Sequence, residues 1–456
     1  MSLLSSLRSK VNLKEFVWSF FSRMASPVLS FAVLLMASRV LSIEEYGLYN
    51  FLFSVGSSLG LILVLGQNVL LLKHFRSNDG PEHAVLNRNL LFTNMKWIAS
   101  GIVVMLIVAA AIQFFAVDVP HQYDALPIAL IFACVFSISE YMQYYFRVRG
   151  NIGLALTPRE NIWRILSLIA LPLAAYTGLL TSGARAMEVI TVLLVAVVGY
   201  QAYRLVGIEG FGFLKARTSG LDAETRSNWT QESLFFTANS FFVSAALYLE
   251  TILIGIFLSL EAAAFYFVAF RLAALLMLPV SIIDTIGLPM VSTKLQDRDA
   301  QGAQRLVSLL SAASFVGTCL AYGFMMLIGK FTLSLFEPSF ADHFEVLAIL
   351  CLAPLTHAFF GPGTNLMMIG GGERYFLAMR SVVFAVYVAA LVVLGIYLGM
   401  AGVAIAGLVH GLAVLVICRN WTLKHVGVDT MASTMIVALR RWRSSRDEPG
   451  PEEQTR

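Results

Sequence analysis

Runs of apolar residues separated by short polar breaks recur along the whole chain. Twelve of them lie at approximately 16–40, 47–72, 90–115, 125–146, 161–180, 188–207, 234–258, 262–290, 307–329, 343–369, 377–397 and 401–421. A helix needs roughly 20 predominantly apolar residues to cross the hydrocarbon core of a bilayer. The pattern therefore predicts an all-α, polytopic membrane protein of about twelve transmembrane helices. The run at 262–290 is long enough to tilt or break.

Proline and glycine punctuate these runs. Pro27, Pro172, Pro279 and Pro354 fall inside them, and Gly361-Pro362-Gly363 interrupts the tenth. Proline removes a backbone hydrogen bond and bends a helix. Such points read either as hinges or as static bends of the kind membrane helices tolerate.

Composition agrees with the pattern. Hydrophobic residues make up 58% of the 456 and charged ones 13%, against roughly 25% charged in an average soluble domain. Mean hydropathy is +0.76. A disordered chain, a disulfide scaffold, a coiled coil and a soluble enzyme are excluded. Cys134, Cys319, Cys351 and Cys418 all sit in apolar runs without CxxC spacing, so neither a metal site nor a disulfide framework is indicated. No basic stripe on a soluble region points to nucleic acid. The basic N-terminus (Arg8, Lys10, Lys14) is followed by a run too long for a signal-peptide core, which reads as a retained first span.

Charge then sets orientation. With a cytoplasmic N-terminus, the inside segments hold 25 of the 32 Lys and Arg, and the outside loops hold Arg39, Arg185 and Lys330 alone. The positive-inside rule places both termini in the cytoplasm. The longest inside connection divides the spans six and six. The expected organisation is an N-terminal six-helix lobe at 1–207, a cytoplasmic linker at 208–233, a C-terminal six-helix lobe at 234–425 and a basic cytoplasmic tail at 426–456. Residues 431–442 read as a short amphipathic helix on the membrane surface. A repeat supports the division. LSIEEYGLY (Leu41 to Tyr49) and LSLEAAAFY (Leu258 to Tyr266) stand 217 residues apart, each at the first outside turn of its half. A parallel repeat of two six-helix units is a common transporter plan.

ASRVLSIEEYGLYNFLFSVGSSLGLILVLG (Ala37 to Gly66), with Arg39, Leu41, Glu45, Tyr46 and Gly47, resembles the opening of the Wzx-like polysaccharide flippases. These belong to the multidrug/oligosaccharidyl-lipid/polysaccharide exporter superfamily. Tyr248 to Pro279 looks like the family's seventh and eighth helices, and Gly399 to Gly411 like its last. Ala264 stands where the family carries a glycine, which puts that turn's geometry in question. The resemblance covers residues 16–425. It implies two lobes around a central cavity, alternating access, and an oligosaccharide on a polyprenyl diphosphate as substrate. Membrane lipids, a polysaccharide polymerase and assembly proteins are the implied partners.

A charge at the bilayer centre costs about 2.5–3.5 kcal/mol on insertion scales, so such residues face a cavity or a partner. Arg23 is either a cavity cation or a snorkelled helix-end arginine. Arg271 and Glu250 fall at matched depth on two spans joined by a tight turn, as a substrate-facing arginine held by a glutamate or as a fixed packing pair. Arginine suits a diphosphate because its planar fork takes two oxygens at once. Lys96 is a weaker cavity candidate that could snorkel. Glu140, Gln143, Tyr144 and Arg147 share one helix face, either as cavity wall or as interfacial end. Glu140, Glu250 and Asp284 are the acidic candidates for ion coupling. Glu160 and Arg164 read as a structural i,i+4 pair.

GGGER (Gly370 to Arg374) lacks the ending and context of a phosphate loop and reads as a turn, and no nucleotide or other cofactor is expected. The expected function is flipping of a lipid-linked oligosaccharide for surface polysaccharide synthesis (lipopolysaccharide or exopolysaccharide). The alternative is a cation-coupled multidrug or small-molecule antiporter of the same superfamily. An integral-membrane enzyme fits poorly, because the outer loops are too short to carry catalytic groups.

Overall fold

The computed structural model describes residues 13–76, 81–115, 121–211, 223–297 and 299–435. The basic residues Arg8 and Lys10, the middle of the 208–233 linker and all of the tail beyond 435 lie outside the described residues. Most of the amphipathic helix expected at 431–442 lies there too.

Every predicted run is helical, and no strand occurs among the described residues. In chain order the main helices are α1 (Leu13–Val40), α2 (Ile43–Leu63), α3 (Gln67–His74), α4 (Pro81–Phe115) and α5 (Leu126–Val148). There follow α6 (Ile152–Thr157), α7 (Trp163–Tyr176), α8 (Gly183–Glu209), α9 (Ala223–Phe257), α10 (Leu260–Ala274) and α11 (Leu278–Gln296). The chain continues through α12 (Ala300–Phe336), α13 (Phe344–Phe360), α14 (Gly363–Ile369) and α15 (Glu373–His425). Among the described residues, nine helical stretches are long and apolar enough to cross a membrane. They carry ten of the twelve runs, since α15 holds two. The other two runs are α1 and the interrupted piece α6–α7. The protein is a multi-span membrane protein.

The breaks follow local chemistry. In α15 the backbone leaves the helix at Gly399 (φ 59°, ψ −142°), a left-handed conformation open to glycine. The eleventh and twelfth runs meet there. The tenth run breaks at Gly361-Pro362, between α13 and α14. The second run is broken too, which its hydropathy does not announce. Leu65 and Gly66 take left-handed backbone between α2 and α3. The Gln67 side chain steadies this turn by donating to the Leu65 carbonyl at 2.9 Å and to Ser233 Oγ at 3.0 Å.

The two repeat strings perform one job. Ser42 Oγ accepts the Glu45 N–H at 3.4 Å, and 217 residues later Ser259 Oγ accepts the Ala262 N–H at 3.0 Å. Each serine caps the start of the following helix, satisfying an N–H that has no intrahelical partner. Ala264, in place of the family's glycine, is fully buried, so the second turn accommodates a Cβ.

The chain forms two compact units, 1–264 and 265–456. In the first, α2 packs along α5, α8 and α9. Helix α9, which the sequence assigns to the C-terminal lobe, thus lies against α2 in the first unit. In the second, α12 packs on α11 and α13, and α13 packs on α15.

Candidate functional site

Pro158 organises the charged part of the first unit. Lacking an N–H, it leaves the Leu154 carbonyl, four residues earlier, without its helical donor. The buried Gln201 on α8 supplies one instead, Nε2 to oxygen at 3.0 Å. The chain then runs as a π turn over Pro158–Ile162, closed by the Trp163 N–H on the Pro158 carbonyl. Single π turns inside helices frequently mark functional positions.

The turn sends neighbouring side chains to different helices. Arg159 reaches α5, where it pairs with Glu140 and donates to Gln143 Oε1 at 3.0 Å. Its guanidinium lies over the Phe136 ring, 4.4 Å from the centroid. Side-chain exposure of the pair is 12% and 10%, so both charges are withdrawn from solvent. Glu160 reaches α1 instead. Its carboxylate accepts from Ser26 Oγ at 2.5 Å and from Arg164 at 2.7 Å. Arg164 also donates to Ser26 Oγ at 2.7 Å. Asn161 and Ser22 are hydrogen bonded at 2.8 Å, and Trp18 Nε1 donates to Thr157 Oγ1 at 2.9 Å. Trp18, Ser22 and Ser26 stand at i, i+4 and i+8, one stripe of α1 facing the turn.

The result is two arginines and two glutamates in a mostly buried, formally balanced cluster. Such a cluster can exchange partners. Neutralising Glu140 removes the carboxylate paired with Arg159 and leaves its Gln143 bond, and an anion offered to Arg159 competes with Glu140.

The structure places the sequence candidates as follows. Glu140 lies in this cluster, with Arg159 as its partner, and its face also contributes Gln143. Arg147 of that face lies over the Tyr144 ring instead, 4.9 Å from the centroid. Glu160 and Arg164 form the expected i,i+4 pair. Arg23 is on α1 between Ser22 and Met24, and its side chain lies outside the described residues. Lys96 is exposed on α4, on a groove shared with Trp97 and Arg226. Glu250 is buried on α9 in the first unit. Arg271 belongs to the second unit, its guanidinium 4.9 Å from the Phe267 ring centroid. Asp284, also in the second unit, has the Asn365 amide at 3.5 Å.

Sequence reasoning missed Arg159, which sits at the edge of a span and reads as interfacial. It also passed over Ser22 and Ser26. Their spacing on α1, and a proline opening a charged Arg-Glu pair at 158–160, were the available signals.

The fold has solved relatives. An inward-facing multidrug resistance MATE family transporter of the MOP superfamily matches with a TM-score of 0.68 at 15% identity, over 92% of this chain and 99% of that one. The lipid II flippase MurJ in an inward closed conformation matches with a TM-score of 0.65 at 11% identity, over 89% of this chain and 87% of that one. A MOP superfamily transporter from Pyrococcus furiosus, described as having a binding pocket of reversed polarity, matches with a TM-score of 0.55 at 12% identity, over 90% and 94%. At these identities the likeness is one of fold. No curated protein matches the chain. The family described as polysaccharide biosynthesis protein matches over residues 12–292, well over half of the sequence and including the whole charged cluster. The chain belongs to the polysaccharide biosynthesis protein family.

Proposed function

We propose that the protein flips a polyprenyl-diphosphate-linked oligosaccharide from the inner to the outer leaflet of a bacterial cytoplasmic membrane, by alternating access, for surface polysaccharide synthesis. The observation that carries the reading is the Arg159–Glu140 pair on the Pro158 π turn. A guanidinium over an aromatic face, held by one exchangeable carboxylate, suits a diphosphate that must bind and then leave. Protonating Glu140, or placing a cation beside it, frees Arg159 for the anion and links substrate binding to an ion gradient. Family membership supports the substrate class, and the fold likeness to a lipid II flippase is consistent with it.

Arg271 is the second cationic candidate in this reading, with Glu250 as its positioning residue, and Arg23 the third. Glu250 and Asp284 are the further acidic candidates for coupling. A cavity between two lobes of six spans, joined through 208–233, with both termini cytoplasmic, completes the proposal. A polymerase and assembly proteins are the proposed partners.

The alternative, a cation-coupled small-molecule antiporter, draws on the fold likeness to a multidrug transporter. Reconstitution separates the two. Purified protein in vesicles is given a short lipid-diphosphate glycan, and its arrival in the opposite leaflet is scored with and without proton or sodium gradients. Flipping by the wild type that Arg159→Ala abolishes supports the proposal. A wild type that moves no glycan lipid, but exchanges an organic cation for protons, replaces it.

A further inference from the structure

Two depressions of the first unit meet at Trp229 on α9, whose side chain is 3% exposed. On one side its neighbour Glu232 has Lys73 Nζ and His74 Nε2 each 2.6 Å away. On the other side a groove of about 320 Å³ collects Lys96 and Trp97 from α4 and Arg226 from α9. Thr93, Ser100, Thr230 and Ser233 complete its polar lining.

The groove's level on the helices matters. On α4, the exposed Lys96 and Trp97 stand just before the uncharged stretch Ile98–Ala111. On α9, Arg226 to Ser233 is the polar stretch before Leu234 and Phe235. Both transitions mark the boundary between headgroups and acyl chains, where tryptophan is enriched. Immediately beyond the groove α4 is open to its surroundings. Val103, Val104 and Ile107 are 55%, 60% and 63% exposed, and only 11% of the helix's apolar window is buried.

A phosphodiester fits this arrangement. Arg226 and Lys96 bring two positive charges to one phosphate, the first as a planar fork and the second as a point charge, while the hydroxyls of Thr93, Ser100 and Thr230 each donate to a backbone carbonyl and only line the groove. Acyl chains attached to that phosphate would lie along the exposed valines and isoleucine of α4, which a free phosphate has no use for. The groove, at about 320 Å³, is large enough for a glycerol-sized headgroup. We infer that the Lys96–Arg226 groove binds the headgroup phosphate of an anionic phospholipid from the surrounding leaflet, at a site separate from the Glu140–Arg159 cluster.

The test uses the full chain in a neutral detergent. Phosphatidylglycerol and phosphatidylcholine are titrated in, and bound lipid is counted by native mass spectrometry. Phosphatidylglycerol is expected to bind roughly tenfold more tightly, the order of preference that two interfacial cations supply. K96Q and R226Q each reduce that preference, and the double variant removes it. Lys96 and Arg226 are both exposed, so the single variants retain the fold, and K96Q alone decides if the double variant does not. Equal binding of the two lipids, or an unchanged preference in folded K96Q and R226Q, overturns the inference. Competition by millimolar inorganic phosphate shows a site for a soluble anion and overturns the lipid assignment. Stronger binding of a polyprenyl diphosphate at the same two residues makes the groove part of the substrate path and likewise overturns it.

Discussion

The carbonyl oxygen of Leu260 stands 2.0 Å from where a Cβ on Gly47 would lie. Main chain meets main chain there, and the two residues belong to the two copies of the repeat. The Glu-Tyr-Gly turn thus has a packing reason for its glycine. Gly47→Ala forces the start of α10 away from α2 and is expected to destabilise by about 1–3 kcal/mol, as overpacking does. Gly199→Ala on α8, whose added Cβ meets nothing within 4 Å, is the control. It is expected to be neutral or to stabilise by up to about 1 kcal/mol through helix propensity. Thermal unfolding in detergent, followed by intrinsic fluorescence, reads both.

Pro158 and Gln201 form a coupled pair through the Leu154 carbonyl. Gln201→Leu leaves that carbonyl without a donor and is expected to cost about 1–3 kcal/mol. Pro158→Ala restores an N–H four residues on. In that background Gln201→Leu should cost clearly less. A double-mutant cycle on unfolding midpoints measures the difference. Additive costs would show that Gln201 matters for some other reason.

Stability and transport should separate at the Arg159–Glu140 pair. Arg159→Ala leaves a buried carboxylate and is expected to lose about 3–5 kcal/mol. Arg159→Gln combined with Glu140→Gln removes both charges and should recover most of that loss. The double variant should still fail to flip a lipid-diphosphate glycan. Recovery of transport along with stability would assign the pair to packing alone.

The end of the second unit should loosen in acid. Arg419 donates to both carboxylate oxygens of Asp429, at 2.8 and 2.7 Å. That guanidinium holds the Asp429 carboxyl below the usual carboxylate range. The folded value is depressed, so the pair's contribution is fully present above the unfolded value of about 3.9. It is lost as pH falls through the lower folded value. Hydrogen-exchange protection at Gly427–Thr434, measured against the unstructured rate at each pH, is expected to be high at neutral pH and to fall below that window. Asp429→Asn should show the lowered protection at every pH.

What the sequence made legible was what depends on local pattern. Hydropathy separated the eleventh and twelfth runs, Gly361-Pro362-Gly363 marked the break in the tenth, and i,i+4 spacing found Glu160 with Arg164. The Leu65–Gly66 break was hidden because its anchors, Gln67 and Ser233, are 166 residues apart. Arg159 was hidden for a related reason. Its partner lies on another helix, and only the π turn aims it there while sending Glu160 the other way. A charge at a span's edge looks solvated until the neighbouring helix is placed.

The seam around Gly47 has a mechanical consequence. At the same end of the first unit, the Gly183 N–H at the start of α8 donates to Glu45 Oε2 at 2.6 Å. A Cβ on Gly183 would lie 2.1 Å from the Glu45 carbonyl. The starts of α2, α8 and α10 therefore meet backbone against backbone at Gly47 and Gly183, with the Glu45 carboxylate fastening α8 to α2. Toward the other end, α3 is joined to α9 through the long side chains of Lys73 and Glu232, which can lengthen, turn or let go. The bundle is stiff at that seam and is pinned again where Gly66 meets the Ser233 carbonyl, so a parting of α9 from α3 is confined to the end beyond Ser233, at Glu232.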